Sequence, residues 1–395
     1  MTTSFSETFI DADGWKVRKD GQHAEGDTFL LKRTGNRVCA VLSDGLGSGI
    51  KASVLSTLTA TLALRCLERD LPADRTASLI MESLPVCSVR HIAYATFTLV
   101  DADPQGRVRL WEYENPPALL VRDGQCVPIE RVPVAFPTGN AKHQTLRRSE
   151  FHVVPGDRLV FCSDGVTQAG MGSPAFPLGW GADRWEAFTV RTLGAQPQVS
   201  ARRLARLTVQ EALARDHEKA KDDISCLCLY FRKPRDLLVV TGPPFDQAKD
   251  AALVEEFREF PGRKVICGGT TAQLIARGLD RPIAVDLSQP TQGLPPPAQM
   301  EGADLVTEGI LTLGRCAVLL ENHRTFETQP PSPAVDLVLA FLDADRIRFV
   351  VGTRVNEAHQ DPQLPLELEI RRNVVKRIVG LLRDKFLKEV ELDFI

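Results

Sequence analysis

Four short acidic motifs stand apart in the chain: Gly26-Asp27, Ser43-Asp44-Gly45, Ser163-Asp164-Gly165 and Asp222-Asp223. Each lies at the end of, or just before, an apolar run that reads as a β-strand. Carboxylates carried on strand ends and tight turns can converge on one point in a folded sheet. Converged carboxylates repel one another unless cations neutralise them. Oxygen-only ligand sets select hard divalent ions such as Mg2+ or Mn2+. Two such ions held close together are a common device for hydrolysing phosphate esters. Taken singly, each motif has a bland reading. Asp44 sits in a turn rich in glycine (Gly45, Gly47, Gly49), where close backbone approach and unusual φ values are allowed. Asp222-Asp223 reads as a solvated acidic pair. Their joint placement at strand edges carries the signal.

The elements that must position these residues are mostly strands. Runs rich in β-branched and aromatic residues, bounded by Gly, Pro, Asp or Asn, predict strands over Thr28–Lys32, Arg37–Ser43, Tyr94–Asp101, Val108–Tyr113, Ala118–Arg122, Thr145–Val153, Arg158–Cys162 and Ile224–Phe231. Helices are predicted from Gly49 to Arg69, over Arg75–Leu84, and from the N-cap Ser200 to His217. After Lys233-Pro234 the texture changes to strands alternating with helices, which indicates an α/β layered domain with a partly parallel sheet. Here strands are predicted over Asp236–Thr241, Arg263–Cys267, Pro282–Leu287 and Leu305–Val306. Helices are predicted over Phe245–Phe260, from Ala272, and over Pro333–Asp343 and Arg371–Lys388. Domains over 1–233 and 234–395 are the expectation.

Composition narrows the function classes. With 43% hydrophobic and 25% charged residues in 395, the chain has ordinary globular composition, and disorder is not its default. A net charge of −3 gives no electrostatic case for nucleic acid or an anionic membrane. Nine scattered cysteines without a CxxC pair read as reduced thiols of a cytoplasmic protein rather than a zinc site. The N-terminal segment to Lys19 has no apolar stretch of signal-peptide type. The longest apolar run, Ile50–Leu67, is broken by Lys51, Arg65 and several hydroxyl residues, so no membrane span is expected.

The run EGDTFLLKRTGNRVCAVLSDGLGSGIKAS resembles the metal-dependent serine/threonine protein phosphatases of the PPM (type 2C) superfamily, and most closely their SpoIIE-like bacterial branch. YENPPALLVRDG, VPGDRLVFCSDGVTQA and KDDISCLCLYF are similar to later motifs of that branch, in the same order, over residues 5–233. The resemblance implies a four-layer α-β-β-α sandwich of two antiparallel sheets flanked by helices, an α+β fold, with two Mn2+ or Mg2+ ions between the sheets. It implies Asp44 as the ligand bridging both ions, the Gly45 carbonyl on one, and Asp164 and Asp222 on the other. Asp27 matches the position that holds metal-bound water, and Asp223 completes the metal-site set. Asp27 and Asp44 are the implied catalytic residues, with the water attacking phosphorus directly. The implied substrate is a phosphorylated regulatory protein, such as an anti-sigma-factor antagonist, in bacterial signalling. A homodimer is left open.

One position departs from the family pattern. Many eukaryotic members carry His after the Asp-Gly of the bridging motif, where it can protonate the leaving group; here the residue is Leu46. A slow or activation-dependent enzyme is one consequence. A phosphatase-fold module that binds a protein or metabolite without turnover is the alternative. Arg33 and Arg37 are candidate phosphate contacts, and His23 lies close to Asp27 in sequence. In the C-terminal half, Gly268-Gly269-Thr270-Thr271 opens a helix after a strand. Such a turn can bind an anion or nucleotide, although it lacks the Gly-Lys-Ser/Thr of a P-loop. Thr307-Glu308-Gly309 and Gly242-Pro243-Pro244 are expected at the same sheet edge. This half is expected to modulate the phosphatase.

Overall fold

The first described element is one that composition hides. The computed structural model describes residues 8–47, 49–69, 71, 73–83, 95–134, 146–322, 329–354 and 364–395. It opens with strand β1, Phe9–Val17, in a segment that reads as polar. Its acids are satisfied by distant partners. The Asp11 carboxylate accepts from Ala201 N (3.1 Å) and faces Arg232 (3.6 Å), and Asp13 lies 3.5 Å from Arg202. Tertiary pairing thus overrides a poor local strand propensity.

The chain divides into two compact units, Met1–Lys233 and Pro234–Ile395. In the first, β1 is followed by β2 (Asp27–Thr34), β3 (Arg37–Gly45), helices α1 (Ile50–Glu68) and α2 (Ala73–Ser83), then β4 (Ala95–Ala102), β5 (Arg107–Tyr113), β6 (Leu119–Arg122), β7 (Gln125–Val127), β8 (Val132–Val134), β9 (Leu146–His152) and β10 (Arg158–Cys162). Helices α3 (Asp164–Thr167), α4 (Ala182–Ala195) and α5 (Ala201–Arg215) precede β11 (Ile224–Arg232). The strands form two antiparallel sheets, ordered β1-β11-β10-β6-β7 and β2-β3-β4-β5-β9-β8. Helices α1 and α2 cover the outer face of the second sheet through Ala60, Ala63, Leu67 and Ile80 on Val41, Leu99 and Trp111. Helices α4 and α5 cover the first through Trp185, Leu204 and Val209 on Val160, Cys226 and Cys228. The inner faces meet at Gly14, where an added Cβ would lie 3.0 Å from both Leu227 and Phe29. This is the expected α-β-β-α sandwich. Helices α3 and α4 and strands β1, β7 and β8 are additions to the sequence reading, and the predicted starts at Tyr94 and Thr145, with the helix end at Leu84, lie outside the described residues.

Helix α1 differs from expectation in one respect. By length and composition it passes as a membrane span, with 33% of the window buried in this unit, so the breaks at Lys51 and Arg65 do not exclude it on those grounds. Its buried side, Ala52, Ser56, Thr59, Ala60 and Ala63, packs on the sheet.

The second unit is an α/β layer structure. Its elements are β12 (Asp236–Thr241), α6 (Asp250–Glu259), β13 (Arg263–Cys267), α7 (Gly269–Leu279), β14 (Ile283–Val285), β15 (Ala298–Met300), β16 (Leu305–Thr307), α8 (Ile310–Glu321), α9 (Pro333–Asp343), β17 (Arg346–Val351), α10 (Leu364–Asp384) and β18 (Glu389–Phe394). The sheet runs β14-β15-β16-β13-β12-β17-β18, parallel from β16 to β18. Helix α6 starts later than predicted because Asp246 accepts from Ala248 N and turns the chain before the helix begins.

Candidate metal centre

The register of β2 on β3 places Asp27 directly opposite Asp44. Cross-strand partners share a face, and like charges in that position are destabilising. The carriers are held tightly. Gly45 packs so closely under α1 that a Cβ would lie 2.1 Å from Ala52 O, and a Cβ on Gly165 would lie equally close, 2.1 Å, to Asp223 O. Those two contacts explain why glycine follows the acid in both motifs. From the other sheet, β10 delivers Asp164 as the first residue of α3, and Asp222-Asp223 leads into β11.

The carboxyls of the four motifs lie near enough to act on one another electrostatically. Asp27 is 1% exposed, and both of its carboxyl oxygens are buried without a hydrogen-bond partner. Burial pushes its pKa up to about 8; Ser163 and Ser225 oppose this, and Asp223 and Asp164 add to it. The two serine hydroxyls stop short of hydrogen-bond geometry with Asp27. Asp44 is pushed up to about 10, first by burial and then by Asp27, Asp164, Asp222 and Asp223. Asp164 is also raised, by burial and by Asp222, with Asp44, Gly165 N and Gln168 opposing the rise. The Gln168 amide donates to Asp164 Oδ2 at 2.7 Å.

Asp223 is engaged differently. Its Oδ1 accepts from Lys19 N (3.1 Å) and its Oδ2 from Gly26 N (2.8 Å). Its carbonyl accepts from Ser163 Oγ at 3.4 Å. This residue therefore ties the loop before Asp27 to the strand edge that carries Asp164. Asp222 lies 3.7 Å from Lys19 Nζ.

The donor set fits a hard cation. Every candidate side chain is a carboxylate, and Asp27 presents two buried oxygens with unfilled lone pairs. Among the described residues, no three such groups are close enough to enclose one ion as they stand. Asp164 Oδ2 accepts from the Gln168 amide instead, and Asp222 turns to Lys19.

Other candidates fall elsewhere. Arg33 donates to Ile10 O and lies over the Phe9 ring, and Arg37 is paired with Asp101. Along their strands they stand roughly 20 Å from Asp27 and Asp44. The cations at the cluster are Lys16, which donates to Asp27 O (3.1 Å) and pairs with Glu25, and Lys19. Nothing local in the sequence marks either one, because the partners of Lys16 lie at the start of β2 and that of Lys19 just before β11. His23 offers its carbonyl to Arg18, and no hydrogen bond or ion pair joins its ring to the carboxylates among the described residues.

In the second unit, β13 and β16 pair in parallel, so Gly268 N reaches Thr307 O (2.8 Å) and the two turns stand side by side. Gly242 N donates to Thr271 Oγ1 (2.8 Å), which brings the third turn to the same edge. Helix α7 begins at once, without a side-chain cap. Glu308 caps α8 through Leu311 N and Thr312 N, so that helix start already holds a carboxylate.

No curated protein matches the chain. Among solved structures, the PP2C phosphatase domain with a fragment of the regulatory domain of SpoIIE from Bacillus subtilis is 19% identical, with TM-score 0.47 over 57% of this chain and 64% of that one. The chain thus spans less than two thirds of that structure. The RsbU and RsbW domains of a Mycobacterium tuberculosis protein are 20% identical, with TM-score 0.46 over 64% of this chain and 69% of that one. RsbX in complex with magnesium is 14% identical, with TM-score 0.40 over 56% of this chain and 95% of that one. The profile of the family described as Stage II sporulation protein E (SpoIIE) matches residues 34–232, half of the chain, and encloses three of the four acidic motifs. The chain therefore belongs to the family described as Stage II sporulation protein E (SpoIIE).

Proposed function

We propose that this protein is a metal-dependent phosphoserine/phosphothreonine protein phosphatase of bacterial signalling. The observation that carries the reading is the register of Asp27 on Asp44, which juxtaposes two carboxyls in a buried site with Asp27's oxygens unpartnered. Asp44 would be shared by two divalent cations, Mn2+ or Mg2+, with the Gly45 carbonyl on one and Asp164 and Asp222 on the other. When bound, the pair supplies a water of lowered pKa and neutralises phosphoryl oxygens. Asp27 orients the attacking water and accepts its proton. Lys16 and Lys19 add positive charge where the phosphoryl group arrives. Leu46 offers no proton, so the leaving oxygen draws one from solvent.

Asp223 serves the centre as the clamp on Gly26 and Lys19. Asp223→Ala is expected to raise the Mn2+ concentration for half-activation about 10–100-fold, the usual cost of losing a supporting contact at a metal site. Asp223→Asn, which keeps one accepting oxygen, should recover part of that loss. Equal Mn2+ dependence in all three proteins would remove Asp223 from the centre.

The substrate class that the resemblance implies is a small phosphorylated regulatory protein of anti-sigma-factor-antagonist type. The free thiols of the described cysteines suit a reducing cytoplasm. The second unit, with three turns at one parallel-sheet edge, is proposed to bind a small anion or nucleotide and modulate the phosphatase. The test of activity is phosphate release from phosphoserine peptides and p-nitrophenyl phosphate with Mn2+ and with chelator. Release that ignores the metal, or no release, overturns the reading. A second reading, a binding module without turnover, is favoured by Leu46 and by the absence of a closed three-carboxylate set among the described residues. Calorimetry showing tight Mn2+ binding with no hydrolysis of either substrate would select it.

A further inference from the structure

Helix α3, which begins with Asp164, runs directly into a loop over residues 168–181 that is held in one shape. Gly179 N donates to Phe176 O (3.1 Å) and Gly181 N to Thr167 O (2.8 Å). Gly170 N donates to Asp216 Oδ1 (2.7 Å). The Phe176 ring lies 5.3 Å from each of the Arg184 and Arg215 guanidiniums. Both ends rest against the carboxylate centre. Gly179, at φ +86°, packs so closely on α3 that a Cβ would lie 2.7 Å from Thr167 O and 2.8 Å from Gln168 Cα. Gln168 is the residue whose amide holds Asp164. On the other side, Met171 O accepts from Lys221 Nζ (2.7 Å), and Lys221 directly precedes Asp222.

The outward surface of this loop is apolar. No charged residue occurs from Gln168 to Gly181, and Leu178 is 87% exposed, Met171 42%. Pro174, Ala175 and Pro177 are also exposed. A constrained loop loses little conformational entropy on docking, so its apolar area can contribute to binding. We propose that this loop is the surface on which the protein substrate lays the residues flanking its phosphoserine or phosphothreonine, and that it selects apolar flanks. The inference rests on the phosphatase reading. The occupant follows from continuity: a segment whose phosphorylated side chain enters among Asp44, Asp164 and Asp222 has its neighbours beside Gln168, Met171 and Leu178.

The experiment uses the full chain with Mn2+ and three probes. These are p-nitrophenyl phosphate, a phosphoserine peptide with Leu, Ala and Pro flanks, and one with Ser and Gln flanks. The apolar peptide should be preferred about tenfold in kcat/KM, through KM, as expected for one large apolar contact. Leu178→Glu and Met171→Glu should each remove the preference and leave p-nitrophenyl phosphate turnover unchanged. No preference in the wild type, or a preference that survives in both variants, overturns the proposal. So does a variant that changes only the oligomeric state on gel filtration, which would give the surface to a second copy of the chain. Failure to hydrolyse any of the three probes is instead the failure of the phosphatase reading, and takes this proposal with it.

Discussion

Asp44→Asn is expected to lower Mn2+-dependent phosphate release by at least about a thousandfold, ~4 kcal/mol of barrier, and to raise the melting temperature of the metal-free protein. Both effects have one cause. Asp44 sits opposite Asp27 in a buried register, and four other carboxyls raise its pKa in addition to burial. Without cations, that arrangement is a cost to the fold. Asparagine keeps the shape and the strand pairing and needs no proton taken up on folding, so at pH 8 the metal-free sandwich should gain roughly 1–3 kcal/mol. For a unit of this size that is about 2–4 °C per kcal/mol. The same change removes the ligand shared by both cations. Activity assays and thermal melts in chelator at pH 8 check the pair of outcomes. A variant with activity within tenfold of wild type would sink the assignment of Asp44. A variant with no gain in melting temperature would show that the carboxyl is not strained.

The second large effect is on pH. Asp27 titrates at about 8 and Asp44 at about 10 in the folded chain, against 3.8 for a free carboxyl. The folded state therefore holds protons that the unfolded state releases. Stability from these groups is full below about pH 4 and is lost as pH rises toward 8 and beyond, at up to ~1.4 kcal/mol per pH unit for each group. Divalent cations act in the opposite direction, because they bind the deprotonated carboxylates and gain affinity as pH rises. The difference in melting temperature between Mn2+-loaded and chelated protein should widen steadily from pH 6 to pH 8.5. A constant difference over that range would show that the carboxyls are not the metal's ligands.

Much of the strand content was legible because burial writes itself into local composition. Strands β3, β10 and β11 are near-continuous apolar runs, and β11 is buried at every position. Strand β1 was not legible, because Asp11 and Asp13 are satisfied by Arg232, Arg202 and the start of α5, about two hundred residues away. The acids themselves could be named from their places at strand ends. The work of Asp223 could not, because its two carboxyl oxygens take amides from Lys19 and Gly26, on a segment with no pattern of its own. Lys16 and Lys19 were missed for the same reason, while Arg33 and Arg37, chosen for proximity in sequence, are engaged at the far ends of β2 and β3.

By itself, the sequence determined which groups are available: carboxylates and a backbone carbonyl at strand ends, no histidine after Asp44-Gly45, and apolar strands to carry them. Residue type and short-range periodicity are local properties, and those conclusions depend on nothing else. Only the tertiary structure decided that Asp27 faces Asp44, that the Asp27 oxygens lack partners, and that Asp223 clamps rather than stands free. A carboxyl's charge state depends on its burial and on the charges within a few ångströms, and here those neighbours come from three segments far apart in the chain.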